Sequence, residues 1–454
     1  MIYSKQDDRR KRLVDYGPEK LADTLLELAA WDKRAESKMQ RMTAAPSENV
    51  GRFKRKLAAL KKRNGFIDWR GSTGFARELE FMLDDLEAGL EDPRTGVELM
   101  AKFFEADEAV FNSCDDSNGT VGDAFRFNAA NLFSKYASRC QDKDWICDLL
   151  EKLHRDDDYG VRDALIEKAG EYLPPEPLRR LAERFWELST KETDKYAKRS
   201  WLILVKLLAR QLKDAPLFEK AETGDDPNPG PAVRFNIAEA YLEAGDAKTA
   251  LKWMESIPKK ETYMSSERDH LLKTIHIRLG NKDAVADAAW RLFRQHRSKE
   301  TLSELLEVIG VDRKEKVIAE ATDSIFKEKE FSASDTEFLI EAQRIDEAEA
   351  YVLKRMDQMD GDFYTSLLPL AKNFEKLDRL LAASMIYRAL LESILGRALS
   401  KYYHHGVKYL KKLDALGLKV PNWAHFHSHQ TYLDGLRQAH ARKVSFWSRY
   451  NELE

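Results

Sequence analysis

Residues 232–257 read AVRFNIAEAYLEAGDAKTALKWMESI, and this stretch restricts the possible folds more than any other. Phe235, Ala238 and Leu242 recur at helical spacing, with Tyr241 beside them. Gly245-Asp246 breaks that period, and Ala250, Leu251 and Met254 restart it. Ala238 and Ala250 are small where two helices would touch, so the backbones can approach and cross as an antiparallel pair. One pair has no second layer for its apolar stripe and must stack on others. The spacing predicts an all-α fold: an α-solenoid of antiparallel helix pairs, tetratricopeptide-like in its second half.

The unit recurs as LEAGDAKTAL, IRLGNKDAV, EVIGVDRKEKV and IEAQRIDEAEA. Turns at Gly245, Gly280, Gly310 and Gln343 are spaced by 35, 30 and 33 residues, close to the 34-residue tetratricopeptide period. Gln343 stands where the other units have glycine. Upstream, Pro18 opens a helix over 18–41 with Leu21, Leu25, Leu28 and Ala29 on one side. Ser47 is placed as the N-cap of a short basic helix, which Asn64-Gly65 stops. A helix from about Gly74 to Leu90 follows, and Pro93 opens one rich in Leu99, Met100, Phe103 and Phe104. Helix 121–139, capped by Thr120, is expected to bury Phe125, Phe127, Leu132 and Phe133. Trp145, Ile146, Leu149 and Leu150 form one face of the next helix. Pro174-Pro175 separates 159–173 from 176–190, and a long helix, 192–212, comes after.

The run DDPNPGP, residues 225–231, has three prolines in seven positions and reads as a linker. The expected organisation is an irregular helical-repeat region over 1–224, that linker, tetratricopeptide-like repeats over 232–376, and a C-terminal cap over 377–454. The cap is assigned helices 378–401, 402–415 and 428–449.

Charged residues make up 34% of the chain and hydrophobic ones 43%, with 21 Gly and 13 Pro. That mixture suits long helices with one wet face. Apolar runs fall far short of the roughly 20 residues needed to span a bilayer. The charged start MIYSKQDDRRKRLVDYG has no apolar run after it, unlike a secretory leader. Cys114, Cys140 and Cys147 lack CxxC spacing and read as buried or incidental thiols in a reducing compartment, the cytoplasm. Charge is uneven. Residues 1–63 hold 17 Lys/Arg against 9 Asp/Glu, residues 397–450 hold 10 against 2, and 64–396 carry −17.

DDSNGTVG (115–122), DDDYGVRDALIEKAG (156–170), IAEAYLEAGDAKTAL (237–251), LLAASMIYRALLESIL (380–395) and HSHQTYLDGLRQAHARKVSFW (427–447) span both halves of the chain in order. Together they resemble an uncharacterised bacterial family of helical-repeat proteins, itself similar to the helical regions flanking SWIM zinc fingers. The CxC and CxH of that finger are absent, so its zinc-borne role does not transfer. The resemblance implies a fold and a bacterial cytoplasmic setting, and no reaction.

Two regions are candidate sites. In RFKRKLAALKKR (52–63), Arg52, Lys54, Arg55, Lys56, Lys61, Lys62 and Arg63 surround a narrow stripe of Phe53, Leu57 and Leu60. That pattern reads either as a phosphate-binding surface or as a solvated helix neutralised by the acidic middle of the chain. The second region holds six of the ten histidines, mixed with Tyr402, Tyr403, Tyr409, Tyr432, Trp423 and Trp447. His405, His425, His427 and His429 are weak metal candidates, set against buried histidines that hydrogen-bond the last helices together. His429 and His440 are expected on one helical face. Arg437, His440, Arg442 and Lys443 are read as an anion patch. DDSNGTVGD (115–123) fails the calcium-loop register, because Thr120 and not glycine is sixth.

No nucleophile elbow, phosphate loop or dinucleotide pattern occurs, so no catalytic residue and no cofactor is assigned. The residues favour a non-enzymatic scaffold that takes a protein or peptide on the concave face of the 232–352 repeats, away from any membrane. The alternative is a nucleic-acid-associated protein using 52–63 and the basic C-terminal helices. Oligomeric state is left open.

Overall fold

The computed structural model describes residues 2–63, 65–224, 226, 228–258, 260–262 and 264–452. Every regular element among them is helical. The one extended contact among them is an isolated bridge: Ile67 N–H donates to the Ser113 carbonyl (2.9 Å) and Asp115 N–H to that of Ile67 (2.8 Å). No described helix is long and apolar enough to cross a membrane. Contacts divide the chain into two compact units, residues 1–256 and 257–454. The proline-rich 225–231 stretch lies within the first unit. Its Asp225 and Pro227 fall outside the described residues, as does Asn64. Pro231 is the first residue of helix Pro231–Glu243, where its missing N–H costs no hydrogen bond.

The first unit is built round aromatic rings donated by successive helices. Phe53 stacks on Phe103 at 6.4 Å, and Phe103 meets Phe125 at 4.9 Å. Further on, Phe185 packs on Trp201 at 5.3 Å. In the second unit Phe293 meets Phe338 at 5.6 Å and Phe326 meets Tyr351 at 5.8 Å. Burial along each helix follows the apolar stripe, as stacked amphipathic pairs require.

One turn recurs in both units. At Gly245 the N–H of Asp246 reaches the Tyr241 carbonyl (2.9 Å), and that of Gly245 reaches Leu242 (3.1 Å). These are the two bonds by which a left-handed residue closes a helix. The same pair forms at Gly280, where Asn281 N–H meets the His276 carbonyl (3.0 Å), and at Gln343, where Arg344 N–H meets Leu339 (2.8 Å). Gln343 holds φ 61° without being glycine. Lys213 (φ 53°) and Asp378 (φ 58°) make the turn as well, so it extends past both ends of the 232–376 region. Gly310 differs: its φ is 105° and it leads into a short 3-10 turn, Val311–Arg313.

Several local readings change. The 18–41 helix is two, Pro18–Trp31 and Lys33–Thr43, because the Asp32 carboxylate caps Arg34 N–H at 2.7 Å. Leu25 and Leu28 are exposed, and only Ala29 of that stripe is buried. The basic helix is Pro46–Leu60, with Ala45 and not Ser47 at its N-cap; Glu48 accepts the Ala45 N–H at 3.2 Å. Asp68 starts the next helix early, at Trp69, by accepting the N–H groups of Arg70 (3.1 Å) and Gly71 (3.0 Å). Gly119 takes the cap position expected for Thr120, and the Asp116 carboxylate accepts from Val121 and Gly122 (both 2.8 Å). Residues Ala124–Ala129 form a π-helical turn, whose extra residue rotates the helix surface. Phe127 is 59% exposed, while Phe125 and Phe133 are fully buried; at about 100° per residue it lies roughly 200° round the helix from Phe125, on the opposite side.

Two close features of the first unit give measurable consequences. Gly96 lies under the Tyr136 ring, where an added Cβ would stand 2.3 Å from Cδ1. That ring is fixed by hydroxyl bonds to the carbonyls of Leu90 (3.1 Å) and Leu86 (3.3 Å). Gly96→Ala is therefore expected to destabilise the chain by about 3 kcal/mol in urea denaturation; an unchanged midpoint would show that the ring has room to move. The three cysteines are buried and unpaired. Burial pushes the Cys114 and Cys147 thiols up to about 11. The folded form then keeps protons that the unfolded form sheds near pH 9, so their contribution to stability is whole below that pH and declines between about 9 and 11. A thiol-reactive dye at pH 8 should leave both untouched until denaturant is added; prompt labelling of the native chain would contradict this burial.

Candidate functional site

Helix Pro46–Leu60 turns Phe53, Leu57 and Leu60 inward and spreads its cations over the other side. Three of the seven cations are engaged by the neighbouring helix Trp69–Gly89. Asp85, 1% exposed, takes Lys56 Nζ at 3.0 Å and Arg52 Nε at 3.2 Å, with Arg41 at 3.6 Å. Arg63 lies over the Phe75 ring at 4.5 Å and 3.8 Å from Glu78. Lys54, Arg55, Lys61 and Lys62 are exposed and have no acidic partner among the described residues. Of the two readings, internal neutralisation describes one side of this helix and open charge the other.

The structure gives the C-terminal histidines separate partners. His429 Nε2 meets Asp414 Oδ1 at 2.7 Å, and Tyr450 donates its hydroxyl to the other oxygen at 2.9 Å. The His425 ring packs at a tilt against Phe426, with centroids 4.0 Å apart, and that of His405 against His404 at 3.9 Å. His427 supplies a carbonyl to the buried Arg388, which is held between the Trp423 (4.6 Å) and Tyr432 (4.2 Å) rings. His405, His425, His427 and His429 therefore do not converge on one point. The 428–449 helix is two, His429–Ala439 and Val444–Asn451, so His440 sits at the break and shares no helical face with His429. Burial, then Lys443, lowers the His440 pKa. Arg437 lies over Trp447 at 5.8 Å, and Arg442 is exposed. Of the four residues read from sequence as an anion patch, Arg437, Arg442 and Lys443 carry fixed charges.

A cleft that sequence reading misses lies between helices Tyr364–Lys376, Leu380–Arg397 and Tyr403–Gly417. Its volume is about 250 Å³, and Tyr364, Leu368, Ile394, Tyr402, His405 and Tyr409 line it, with Arg397 at the rim. Gly361 closes one wall: a Cβ there would stand 2.2 Å from the Ala389 carbonyl, so only glycine lets the loop lie on that helix. Arg397 is aimed by Asp362 at 3.2 Å. Tyr364 and Tyr402 remain 58% and 37% exposed, which leaves aromatic edges at the entrance. These residues come from three separate helices, the Ser400–Tyr402 turn and the loop at Gly361, and no local period marks them.

The second constellation, whose sequence signal is diluted by the many acids of the chain, is in the first unit. His154 ends helix Lys143–Arg155, Asp157 lies in the following turn, and Asp163 opens helix Asp163–Glu167. Gly160 (φ 66°) lets the chain double back, and Asp157 holds the turn by accepting N–H from Tyr159 (3.1 Å), Gly160 (2.9 Å) and Arg162 (3.0 Å). Arg162 fixes the far side, donating twice to the buried Asp107 at 2.8 and 2.7 Å and once to the Leu153 carbonyl at 2.9 Å. His154 Nδ1 faces Asp163 Oδ1 at 3.2 Å, its Nε2 faces the Ser200 hydroxyl at 3.0 Å, and its ring packs on Trp201 at 4.8 Å. Burial raises the Asp157 pKa, and the nearby Asp163 charge adds to this.

Ser200, His154 and Asp163 have the connectivity of a hydrolytic triad. Ser200, however, lies within helix Lys195–Gln211, where successive N–H groups are spent on i−4 carbonyls. The helix backbone on either side of Ser200 therefore offers no pair of free N–H groups to receive an oxyanion. The geometry supports a hydrogen-bonded histidine flanked by two carboxylates, and not an acyl-transfer centre.

No curated protein matches the chain. A family model, described as a family of unknown function (DUF6880), matches over residues 5–223 and 219–449, nearly the whole length. The chain belongs to that family.

Proposed function

We propose that the chain is a non-catalytic scaffold that binds a protein or peptide partner through the 361–409 cleft. The observation that carries this reading is the cleft's size and lining. A volume near 250 Å³ holds one large apolar side chain and falls below the roughly 300–1,000 Å³ of small-molecule pockets. Exposed tyrosines round a deep apolar floor are the usual anchor-and-rim form of a binding hot spot. Arg397 at the rim favours an acidic residue beside the anchor. The 232–352 repeats fall partly in each unit, whereas the cleft lies within one. A cytoplasmic setting and a relation to SWIM-flanking helices belong to this reading too.

A displayed peptide library should yield ligands with one large apolar residue flanked by Asp or Glu. Tyr364→Ala and Tyr402→Ala, both at exposed positions, should each weaken the selected peptide about tenfold, or about 1.4 kcal/mol. Equal binding by the variants would place the partner elsewhere.

The four open cations at Lys54, Arg55, Lys61 and Lys62 favour a second reading, association with nucleic acid. Four phosphate contacts give a log–log salt slope of about −3.6 for duplex DNA. Lys61→Glu with Lys62→Glu should roughly halve that slope. A flat salt response, or binding untouched by the substitutions, rules this reading out.

A further inference from the structure

We infer that His154, Asp157 and Asp163 form a binding site for one divalent first-row transition ion of the zinc class. One donor atom from each lies within 4.8 Å of the other two, and no other trio of this kind occurs among the described residues. Two ligands about 2.1 Å from a tetrahedral ion stand roughly 3.4 Å apart. His154 Nδ1 and Asp163 Oδ1, at 3.2 Å, are already at that spacing. Asp157 has only to close the remaining distance.

What separates this group from an ordinary acidic surface is its histidine. The His154 side chain is 10% exposed, and its second nitrogen is engaged outside the group by Ser200. Ligating histidines are held in this way, the free ring nitrogen bonded to a neighbour that fixes orientation and tautomer. A hydroxyl suits the role because it can donate or accept. Without metal, Nδ1–H points at Asp163, and Nε2 accepts from Ser200. With metal, Nδ1 coordinates, its proton moves to Nε2, and the same Ser200 oxygen accepts it. The ion then takes the place of the hydrogen in the His154–Asp163 contact, and the ring need not turn. The Trp201 face and the Arg162–Asp107 pair keep the ring and the turn in place during the exchange.

Charge fits as well. Asp157 and Asp163 each place a carboxylate oxygen within 4.8 Å of the other, and neither is paired with a Lys or Arg among the described residues, since Arg162 directs its guanidinium to Asp107 and Leu153. A divalent ion relieves that repulsion. One nitrogen and two carboxylates suit Zn²⁺, Co²⁺ or Mn²⁺ better than Ca²⁺, which prefers six to eight oxygens. With three protein ligands the ion keeps a position for water. The site belongs to the first unit and the proposed peptide cleft to the second, so neither reading depends on the other.

The test is titration of the chelator-stripped full chain with ZnCl₂ by calorimetry, with Co²⁺ absorption as the spectroscopic signature. The chain should take up one Zn²⁺ that excess Ca²⁺ does not displace. His154→Ala and Asp163→Asn should each abolish that equivalent and the Co²⁺ band. Ser200→Ala should keep the stoichiometry and weaken affinity about tenfold. Zn²⁺ should raise the melting temperature of the native chain but not that of Asp163→Asn, a near-isosteric change that preserves the fold. Absence of binding, or uptake retained in both His154→Ala and Asp163→Asn, overturns the proposal. Retention would assign the ion to surface histidines such as His404 and His405.

Discussion

A backbone N–H that reaches back across one left-handed residue to a carbonyl five positions earlier is the bond on which the repeated architecture depends. It appears at Lys213, Gly245, Gly280, Gln343 and Asp378 with nearly constant lengths of 2.8–3.0 Å. The bond satisfies a helix-end carbonyl and fixes the direction in which the chain leaves. In the first three cases the residue after the turn also starts the next helix. Asp214, Asp246 and Asn281 each accept an N–H three positions on, at 3.1, 3.0 and 3.3 Å. One two-residue step therefore both ends and begins a helix, and nothing else has to specify the pairing.

At the last two turns an arginine follows the left-handed residue, and a different interaction replaces the cap. Arg344 reaches Glu315 at 2.7 Å, and Arg379 reaches Glu349 at 3.2 Å and Asp346 at 2.5 Å. Acceptors inside the turn give way to cations that tie it to the preceding helix pair. The same trade-off occurs on a larger scale at Asp85, where a buried carboxylate collects cations from Lys33–Thr43 and Pro46–Leu60. An unpaired charge at that depth would cost several kcal/mol. The excess of cations at the start of the chain is thus met, at Asp85, by an acid from its negatively charged middle.

Sequence reading succeeds where structure is decided within a few residues. Gly245-Asp246 and Gly280-Asn281 announce their turns because glycine and a short polar acceptor are the residues that this backbone needs. Gln343 gives a weaker signal, yet it adopts the same φ because the flanking helices and the Arg344 N–H bond hold it there. Lys213 and Asp378 give no signal at all, so the repeat looks shorter in sequence than it is. Sequence reading groups Phe127 with Phe125 and Phe133 by its apolar character, although two steps of about 100° already turn it roughly 200° from Phe125, and it is exposed. For the histidines, composition misleads. His425, His427 and His429 are close in sequence but lie in and beside a turn whose side chains find separate partners.

The two functional candidates show why binding sites in such arrays evade periodic analysis. Each repeat is specified locally, but the surface between repeats is assembled from side chains on separate helices, such as Tyr364, Ile394 and Tyr409. Those positions satisfy the same helical period whether they line a cleft or fill a core. Gly361 is the exception, because its close approach to Ala389 leaves no alternative residue. At His154 a local signal exists but is diluted: HRDDDYGVRD puts one histidine and four aspartates within ten residues, in a chain with 78 acids. Only the fold tells those aspartates apart. Asp157 is turned inward by three N–H groups and Asp163 is brought to the ring, while Asp156 and Asp158 face solvent. Composition sets how many candidate ligands a chain has, and backbone hydrogen bonding decides which of them can share one ligand.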